Sequence, residues 1–236
     1  MAIILPLFNE GNRILEILPE IKDFANNRKD FFFLFVDDGS TDNTYEILRN
    51  NLNSTGNVDV IRYKTNRGKG YAIRYGFESI DAHRYCFTDS DLAYPLELLD
   101  LIHTQLEHSD LVIGSRKIKN STRRPSLVRH ILGEVYNRLM RLILGLPFQD
   151  TQAGIKGFRR EVVKTIFPKM TIFGFGFDPE ILFLAKLKGY SITEIPVKER
   201  DCHTYKTCKI KLTKDSLRMF RDLIRVRIND IFKRYT

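Results

Sequence analysis

The chain has 236 residues, 43% of them hydrophobic, which is enough to bury the core of one large domain or one and a half domains. Three cysteines do not make a disulfide framework, and the longest apolar runs fall far short of the roughly 20 residues that cross a bilayer. The formal net charge is +9, and we expect a reducing cytoplasmic setting without an N-terminal leader.

The first two predicted strands both run into acidic turns. Ala2 to Leu5 leads into Pro6-Leu7-Phe8-Asn9-Glu10, after which Arg13 to Phe24 shows the apolar spacing of a helix. Phe31 to Val36 is a continuous apolar run typical of a strand buried on both faces, and Asp37-Asp38 follows it directly.

The residues after the second strand predict a turn and a helix. Gly39 permits a sharp turn, and we expect Ser40 or Thr41 to cap a helix that reaches about Asn53. Capping explains one carboxylate in each turn but not doubled ones. The acidic turns therefore indicate more than helix ends.

Strand and helix patterns continue to alternate along the chain. They are predicted over Val58 to Tyr63, Gly70 to Ile80, Tyr85 to Thr88, Pro95 to His108 and Leu111 to Ile113. This is the βαβ rhythm of a mostly parallel sheet flanked by helices, so the predicted fold class is α/β. In such sheets, ligands bind outside the carboxyl ends of the strands, where the strand order reverses.

A glycine-rich basic stretch, Asn66 to Arg74, begins one of the predicted helices. Backbone amides and positive side chains at a helix start favour an anion, and Lys69 is the candidate contact. The stretch lacks the Gly-Lys-Ser/Thr ending of a Walker loop, so the alternative is a solvated basic turn.

Thr88-Asp89-Ser90-Asp91 follows the apolar run Tyr85-Cys86-Phe87 and places two carboxylates one residue apart. Residues two apart on an extended chain point to the same side, which would let Asp89 and Asp91 converge on one cation. Oxygen ligands suit Mg²⁺ or Mn²⁺, and Mg²⁺ is usually shared between one or two carboxylates and substrate phosphates. The pattern predicts a metal–diphosphate site, with an acidic helix cap as the alternative.

The C-terminal segment carries most of the charge excess. From Lys198 to Thr236, 12 Lys and Arg stand against 5 Asp and Glu, a balance of +7. Apolar residues recur at helical spacing, with basic residues between them, which predicts an amphipathic basic helix over 213–236 after a main domain over 1–212. The apolar positions are Leu217, Phe220, Leu223, Ile224, Ile228, Ile231 and Phe232.

This helix has two interpretations of comparable weight. It could lie on an anionic membrane surface, or its apolar face could pack on the core. No nucleic-acid-binding motif accompanies the charge, so we expect no nucleic-acid partner. Cys202, His203 and Cys208 lack the fourth ligand and the short spacing of a zinc site.

Together, the motifs resemble the inverting glycosyltransferases of family 2, and within them the dolichyl-phosphate β-glucosyltransferases. The resemblance covers nearly the whole chain. It rests on Pro6 to Glu10, Val36 to Ser40, Asn66 to Gly70, Thr88 to Asp91, Gly114 to Arg116, Asp150 to Lys156 and Phe177 to Glu180.

The resemblance implies a GT-A fold, a nucleotide-sugar donor and an isoprenoid phosphate acceptor presented at the cytoplasmic face of a membrane. It assigns nucleoside binding to Pro6, Phe8, Glu10 and Asp38. It assigns the donor diphosphate and the Mg²⁺ or Mn²⁺ ion to Asp89 and Asp91, and phosphate handling to Arg116 and Arg129.

The acceptor decides whether a base is needed. A hydroxyl must lose its proton, for which Asp178 is the first candidate, whereas a phosphate monoester is already anionic near neutral pH. Ala93 and the segment Asp150 to Lys156 resemble the glucosyl enzymes more than the mannosyl ones, so glucose from UDP-glucose is predicted. Mannosyl transfer from GDP-mannose, a hydroxyl acceptor, and a non-catalytic nucleotide-binding or scaffold protein are the alternatives.

Overall fold

The computed structural model describes residues 1–52, 56–117, 127–200 and 212–235. Strands and helices alternate through most of this length, as predicted. In chain order they are β1 Ala2–Leu7, α1 Gly11–Asn27, β2 Phe32–Asp37, α2 Thr44–Leu52, β3 Val58–Arg62, α3 Lys69–Glu78, β4 Arg84–Thr88, α4 Leu98–Gln105, β5 Leu111–Ser115, α5 Leu127–Leu144, β6 Ile155–Arg159, α6 Arg160–Ile166, α7 Phe177–Leu187, β7 Ile192–Pro196 and α8 Leu212–Ile231.

The described strands form one sheet in the order β3-β2-β1-β4-β6-β5-β7. Strand β6 is antiparallel to β4 and β5, and the other pairings are parallel. The structure confirms the predicted α/β class with a mostly parallel sheet. The sequence did not predict β6, because Lys156 and Gly157 interrupt the apolar pattern of a central strand.

Apolar residues cover both faces of the sheet, and β2 shows how. Phe33 and Phe35 face one core, while Leu34 and Val36 face the other. Successive side chains of a strand point to opposite faces, so a continuous apolar run fits a strand that is covered twice.

The strand order reverses between β1 and β4. From β1 the chain moves outward through β2 and β3, and β4 then returns to the other side of β1. The ends of β1 and β2 lie level, since Leu7 pairs with Asp37, and Asp37 pairs in turn with Arg62 of β3. The predicted acidic turns after β1, β2 and β4 therefore share one edge of the sheet, at its switch point.

Helix α8 packs against α5 and α7 with one face buried. Leu223 and Val226 belong to the same core as the sheet. The predicted apolar face is therefore divided: Leu223 lies inside, whereas Ile224, Ile228, Ile231 and Phe232 stay exposed. We call these four exposed residues the outer ridge. The division of the chain at residues 212 and 213 remains a prediction.

Among the helices formed by residues 1–52, 56–117, 127–200 and 212–235, none combines the length and the apolar character that crossing a bilayer requires.

Candidate active site

The loops after β1 and β2 are joined by hydrogen bonds from backbone amides to side chains. The Asn9 amide donates to Ser40 Oγ (2.9 Å), the Thr41 amide to Asn9 Oδ1 (2.8 Å), and the Glu10 amide to Thr44 Oγ1 (2.9 Å). Helix α2 begins at Thr44. The predicted cap at Ser40 or Thr41 is therefore wrong, because these residues hold the neighbouring loop instead.

The end of β1 and the loop after it carry three of the four residues predicted to bind the nucleoside. Pro6 lies within β1, and Phe8 and Glu10 follow the strand. The Glu10 carboxylate forms an ion pair with Arg13 (3.0 Å), and Glu10 is only partly exposed. These residues occupy the edge of the sheet where the sequence placed them.

Asp38 holds the loop that leads into α3, residues 67–70, which we call the Lys69 loop. Its carboxylate accepts hydrogen bonds from the Arg67 amide (2.7 Å), the Gly68 amide (2.9 Å) and the Tyr63 hydroxyl (2.6 Å). Burial raises the pKa of Asp38, although these donors oppose the shift. The helix start that was predicted to attract an anion thus binds a carboxylate of the chain itself.

The same loop reaches across to the acidic turn after β4. Lys69 Nζ lies 2.5 Å from Asp89 Oδ1. Burial opposes the positive charge of Lys69, but the carboxylates of Asp89, Asp178 and Asp91 outweigh that cost and raise its pKa. Lys69 therefore stays protonated near neutral pH, with three carboxylates acting on it.

The geometry of the acidic turn differs from the one that the sequence predicted. Strand β4 ends at Thr88, and the Leu92 amide donates to the Asp89 carbonyl (3.1 Å) in a turn. The Asp91 carboxylate accepts a hydrogen bond from the Ala93 amide (3.0 Å). Asp89 and Asp91 lie beyond the strand, so the alternation of strand side chains does not set the relative positions of their carboxylates. The turn sets these positions instead.

A second lysine–aspartate pair lies deeper in the site. Lys156 Nζ, on β6, is 2.6 Å from Asp178 Oδ1 at the start of α7, and it donates to the Ala153 carbonyl (2.7 Å). Burial lowers the pKa of Lys156 and raises the pKa of Asp178. The pair links β6 to α7, and the Asp178 carboxylate also acts on Lys69.

Three glycines allow these elements to approach so closely. A Cβ on Gly154 would lie 1.9 Å from Asp89 Oδ2. A Cβ on Gly68, whose φ is +99°, would lie 2.5 Å from the Phe173 carbonyl oxygen, and one on Gly70 would lie 2.8 Å from Phe177 Cβ. A side chain at position 154 would displace the Asp89 carboxylate, and one at position 68 or 70 would clash with Phe173 or Phe177.

Arg116 is held at the end of β5 by acidic partners. Its guanidinium binds both oxygens of Asp150 (2.7 and 3.1 Å) and reaches Glu199 (3.2 Å). Burial opposes the charge on Asp150, but Arg116 holds the pKa of that carboxyl below its usual range. The side chain of Arg129 lies outside the described residues, so its predicted role stays a prediction.

The structure thus brings Lys69, Asp89, Asp91 and Asp178 into one charge cluster, and it ties Asp38 to this cluster through the Lys69 loop. The sequence did not identify Lys156 as the partner of Asp178, nor Asp150 as the partner of Arg116. Both pairs join residues that are distant along the chain, so no local spacing reveals them.

Comparison with known proteins identifies a family. The model of the family described as "Glycosyl transferase family 2" matches residues 2–167. The chain is 32% identical over 252 residues to the dolichyl-phosphate β-glucosyltransferase of Saccharomyces cerevisiae, covering 97% of this chain and 74% of that protein. It is 29% identical to the enzyme of the same name from Dictyostelium discoideum, covering 96% and 73%.

Solved structures agree on the fold. Glucosyl-3-phosphoglycerate synthase from Mycobacterium tuberculosis, crystallised with Mn²⁺, UDP-glucose and phosphoglyceric acid, superimposes with a TM-score of 0.71. The sequence identity is 20%, and the match covers 96% of this chain and 79% of that one. This likeness shows that the two proteins share the GT-A fold.

Proposed function

Because the chain belongs to glycosyl transferase family 2 and is a glycosyltransferase, we propose that it transfers glucose from UDP-glucose to a dolichyl or polyprenyl phosphate, with inversion at the anomeric carbon. The observation that carries this proposal is the charge cluster around Lys69 at the switch point of the sheet. Relatives that align with nearly the whole chain are dolichyl-phosphate β-glucosyltransferases, which supports the choice of sugar and acceptor.

The site residues fit Mg²⁺ or Mn²⁺. In the described part of the chain, no three His, Cys, Asp or Glu side chains are grouped as a ready-made metal cage. Asp89 and Asp91 offer hard oxygen ligands, and the missing side chain at Gly154 lets the Asp89 carboxylate occupy its position. Two carboxylates completed by diphosphate oxygens and water are a usual Mg²⁺ site. A bound ion supplies Lewis acidity toward the leaving diphosphate.

Lys69 supplies further positive charge without any proton transfer. Lys69 is protonated and lies beside Asp89, so its ammonium can stabilise the negative charge that develops on the leaving nucleoside diphosphate. An acceptor phosphate is already ionised near neutral pH, so it can attack the anomeric carbon without a general base. The ion pair of Asp178 with Lys156 is consistent with a positioning role for this carboxylate.

The decisive test is transfer of a labelled sugar. The purified protein is incubated with UDP-[¹⁴C]glucose, Mn²⁺ and a short polyprenyl phosphate in detergent, and the label is followed into the organic phase. We expect transfer from UDP-glucose and little from GDP-mannose. Absence of labelled lipid from both donors would overturn the proposal.

The same product separates the rival acceptors. A glucosyl phosphodiester releases its sugar in mild acid, whereas a glycoside formed on a hydroxyl group survives that treatment. An acid-stable product would point to a hydroxyl acceptor, with the raised pKa of Asp178 suiting it as the base. A preference for GDP-mannose would change the donor and leave the reaction class intact.

We further propose that the outer ridge of α8 places the enzyme on an anionic membrane surface at the cytoplasmic face. Ile231 and Phe232 are 66% and 70% exposed, and the neighbouring Arg225 and Arg227 are exposed as well. An apolar ridge flanked by cations suits the boundary between acyl chains and anionic head groups. The buried face of the helix fixes the direction in which the ridge points.

Binding to vesicles tests this placement. We expect Ile231→Ser/Phe232→Ser to reduce sedimentation with phosphatidylserine-containing vesicles. The control Leu15→Ser/Leu101→Ser changes two exposed apolar residues on other helices and should bind like the parent chain. Equal binding by all three proteins would refute the ridge as the docking surface, without touching the transfer reaction.

A further inference from the structure

Glu180 is a buried carboxylate whose hydrogen bonds go to residues outside the charge cluster around Lys69. It lies in the first turn of α7, fully buried. Its oxygens accept hydrogen bonds from the Thr171 amide (3.0 and 3.1 Å), the Thr171 hydroxyl (2.7 Å) and the Ile172 amide (2.9 Å). Compensation of the helix dipole would not require these partners, so Glu180 holds the segment before α7 in place.

The end of the chain completes this network. The Tyr235 hydroxyl donates to Glu180 Oε1 (2.7 Å), and Tyr235 is 1% exposed. Asn229 Nδ2 donates to the Thr171 hydroxyl (3.0 Å), and Lys169 Nζ donates to the Tyr235 carbonyl (2.9 Å). The turn after α8 is therefore built into the same interior as α7.

The segment that Glu180 holds contacts the Lys69 loop through Phe173. The Phe173 carbonyl accepts a hydrogen bond from the Gly70 amide (2.8 Å). On either side of Lys69, Gly68 packs against Phe173, and Gly70 packs against Phe173 and Phe177, with no room for a Cβ. A shift of Phe173 must therefore move the loop that aims Lys69 at Asp89.

We propose that Tyr235 and Glu180 are positioning residues for the donor site, and that they act on Lys69 through Thr171, Ile172 and Phe173. The inference rests on the proposed function, because it assumes that Lys69 faces the donor diphosphate. Loss of the Tyr235 hydroxyl leaves a buried Glu180 oxygen short of a partner and loosens the segment. Donor binding then weakens, while the acceptor side of the site is unchanged.

Tyr235→Phe is the most direct variant, because it removes one hydroxyl and keeps the ring packed near Phe183. We expect the Kd for UDP with Mn²⁺ and the KM for the donor to rise roughly 5- to 10-fold, as the loss of about one hydrogen bond predicts. The KM for the polyprenyl phosphate should stay constant. Glu180→Gln should show the same pattern more strongly.

Tyr190→Phe provides the matched control. Its hydroxyl donates to Thr165 Oγ1 (3.0 Å), in contacts that do not lead to the Lys69 loop. The control should keep the parent affinity for UDP and the parent donor KM. If Glu180→Gln fails to fold, Tyr235→Phe decides alone.

Direct titration with UDP and with GDP separates the possible failures. If Tyr235→Phe melts at a lower temperature but binds its nucleotide as tightly as the parent chain, the role of Tyr235 is only structural and the inference is overturned. If the parent chain binds neither nucleotide, the proposed function fails, and the inference fails with it.

Discussion

Two lysine–aspartate pairs lie next to each other at the active edge, and they differ in burial. The side chains of Lys69 and Asp89 are 18% and 36% exposed, whereas those of Lys156 and Asp178 are 0% and 8% exposed. The two ammonium groups lie 5.8 and 5.4 Å from the centre of the Phe87 ring. Nearly the same pair is thus placed once at a partly exposed position and once in the interior.

From this difference we expect the partly exposed pair to act in donor binding and the buried pair to stabilise the fold. Carboxylates raise the pKa of Lys69, whereas burial lowers the pKa of Lys156 despite its partner. An exposed pair contributes little to stability and can change partners when a phosphate arrives. A buried pair contributes little when intact, but it is costly to break because one charge is left without compensation.

The largest effect should follow from breaking the buried pair. Lys156→Met leaves the Asp178 carboxylate buried without its cation, so we expect the free energy of unfolding to fall by about 3–5 kcal/mol. The loss should be smaller at mildly acidic pH, because burial raises the pKa of Asp178 and protonation removes its charge. Urea denaturation at both pH values measures the difference. A loss as small as that of Lys69→Met would erase the distinction between the pairs.

The next largest effect concerns Asp91, which also acts on Lys69 of the partly exposed pair. We expect this effect in catalysis rather than in stability. Asp91→Asn should lower transfer roughly 100- to 1000-fold, because it removes a charged ligand from the proposed metal–diphosphate site. The fold should persist, since asparagine can still accept the Ala93 amide hydrogen bond. Asp59→Asn, at an exposed position on β3, is the control. Retained turnover, or full activity of the parent chain in EDTA, would remove the metal mechanism.

Lys69→Met removes the cation of the partly exposed pair and so tests the contrast between the two pairs. Removing the ammonium should lower kcat/KM for the donor about 10- to 100-fold, the usual worth of one charged hydrogen bond. The free energy of unfolding should change by only about 0–1 kcal/mol, since the pair is partly exposed. Lys69→Arg should recover part of the activity. A stability loss that rivals Lys156→Met would contradict the assignment of roles.

Local patterns made the first half of the fold predictable. Apolar runs such as Phe31 to Val36 and the turns behind them mark β1 to β5 and their helices, and parallel strands bring those turns to one edge. Family resemblance added Asp178 and Arg116. The partners of these residues were not predictable, because Lys156 sits in a strand that lacks an apolar pattern and Asp150 lies in a loop.

The C-terminal helix marks another limit of sequence patterns. Helical spacing indicated an amphipathic helix, but spacing alone cannot tell which apolar residues meet the core and which meet solvent. Leu223 and Ile224 are adjacent in sequence and end on opposite sides of that boundary. The Tyr235 to Glu180 hydrogen bond had no sequence signal at all.

Arg116 and Asp150 form a third ion pair with an exposed cation and a buried carboxylate, and its loss should affect stability less than the loss of the buried Lys156–Asp178 pair. Arg116 is 37% exposed and Asp150 is 4% exposed, so Arg116→Gln should cost only about 1–2 kcal/mol at neutral pH after discounting for solvent screening. The pKa of Asp150 is depressed in the folded chain, so this contribution is present above its unfolded value of 3.8 and is lost as pH falls through the folded value. Denaturation of both proteins across that range should therefore show two stability curves converging in acid. Curves that stay parallel would mean that Arg116 stabilises the fold by packing of its side-chain stem rather than by charge.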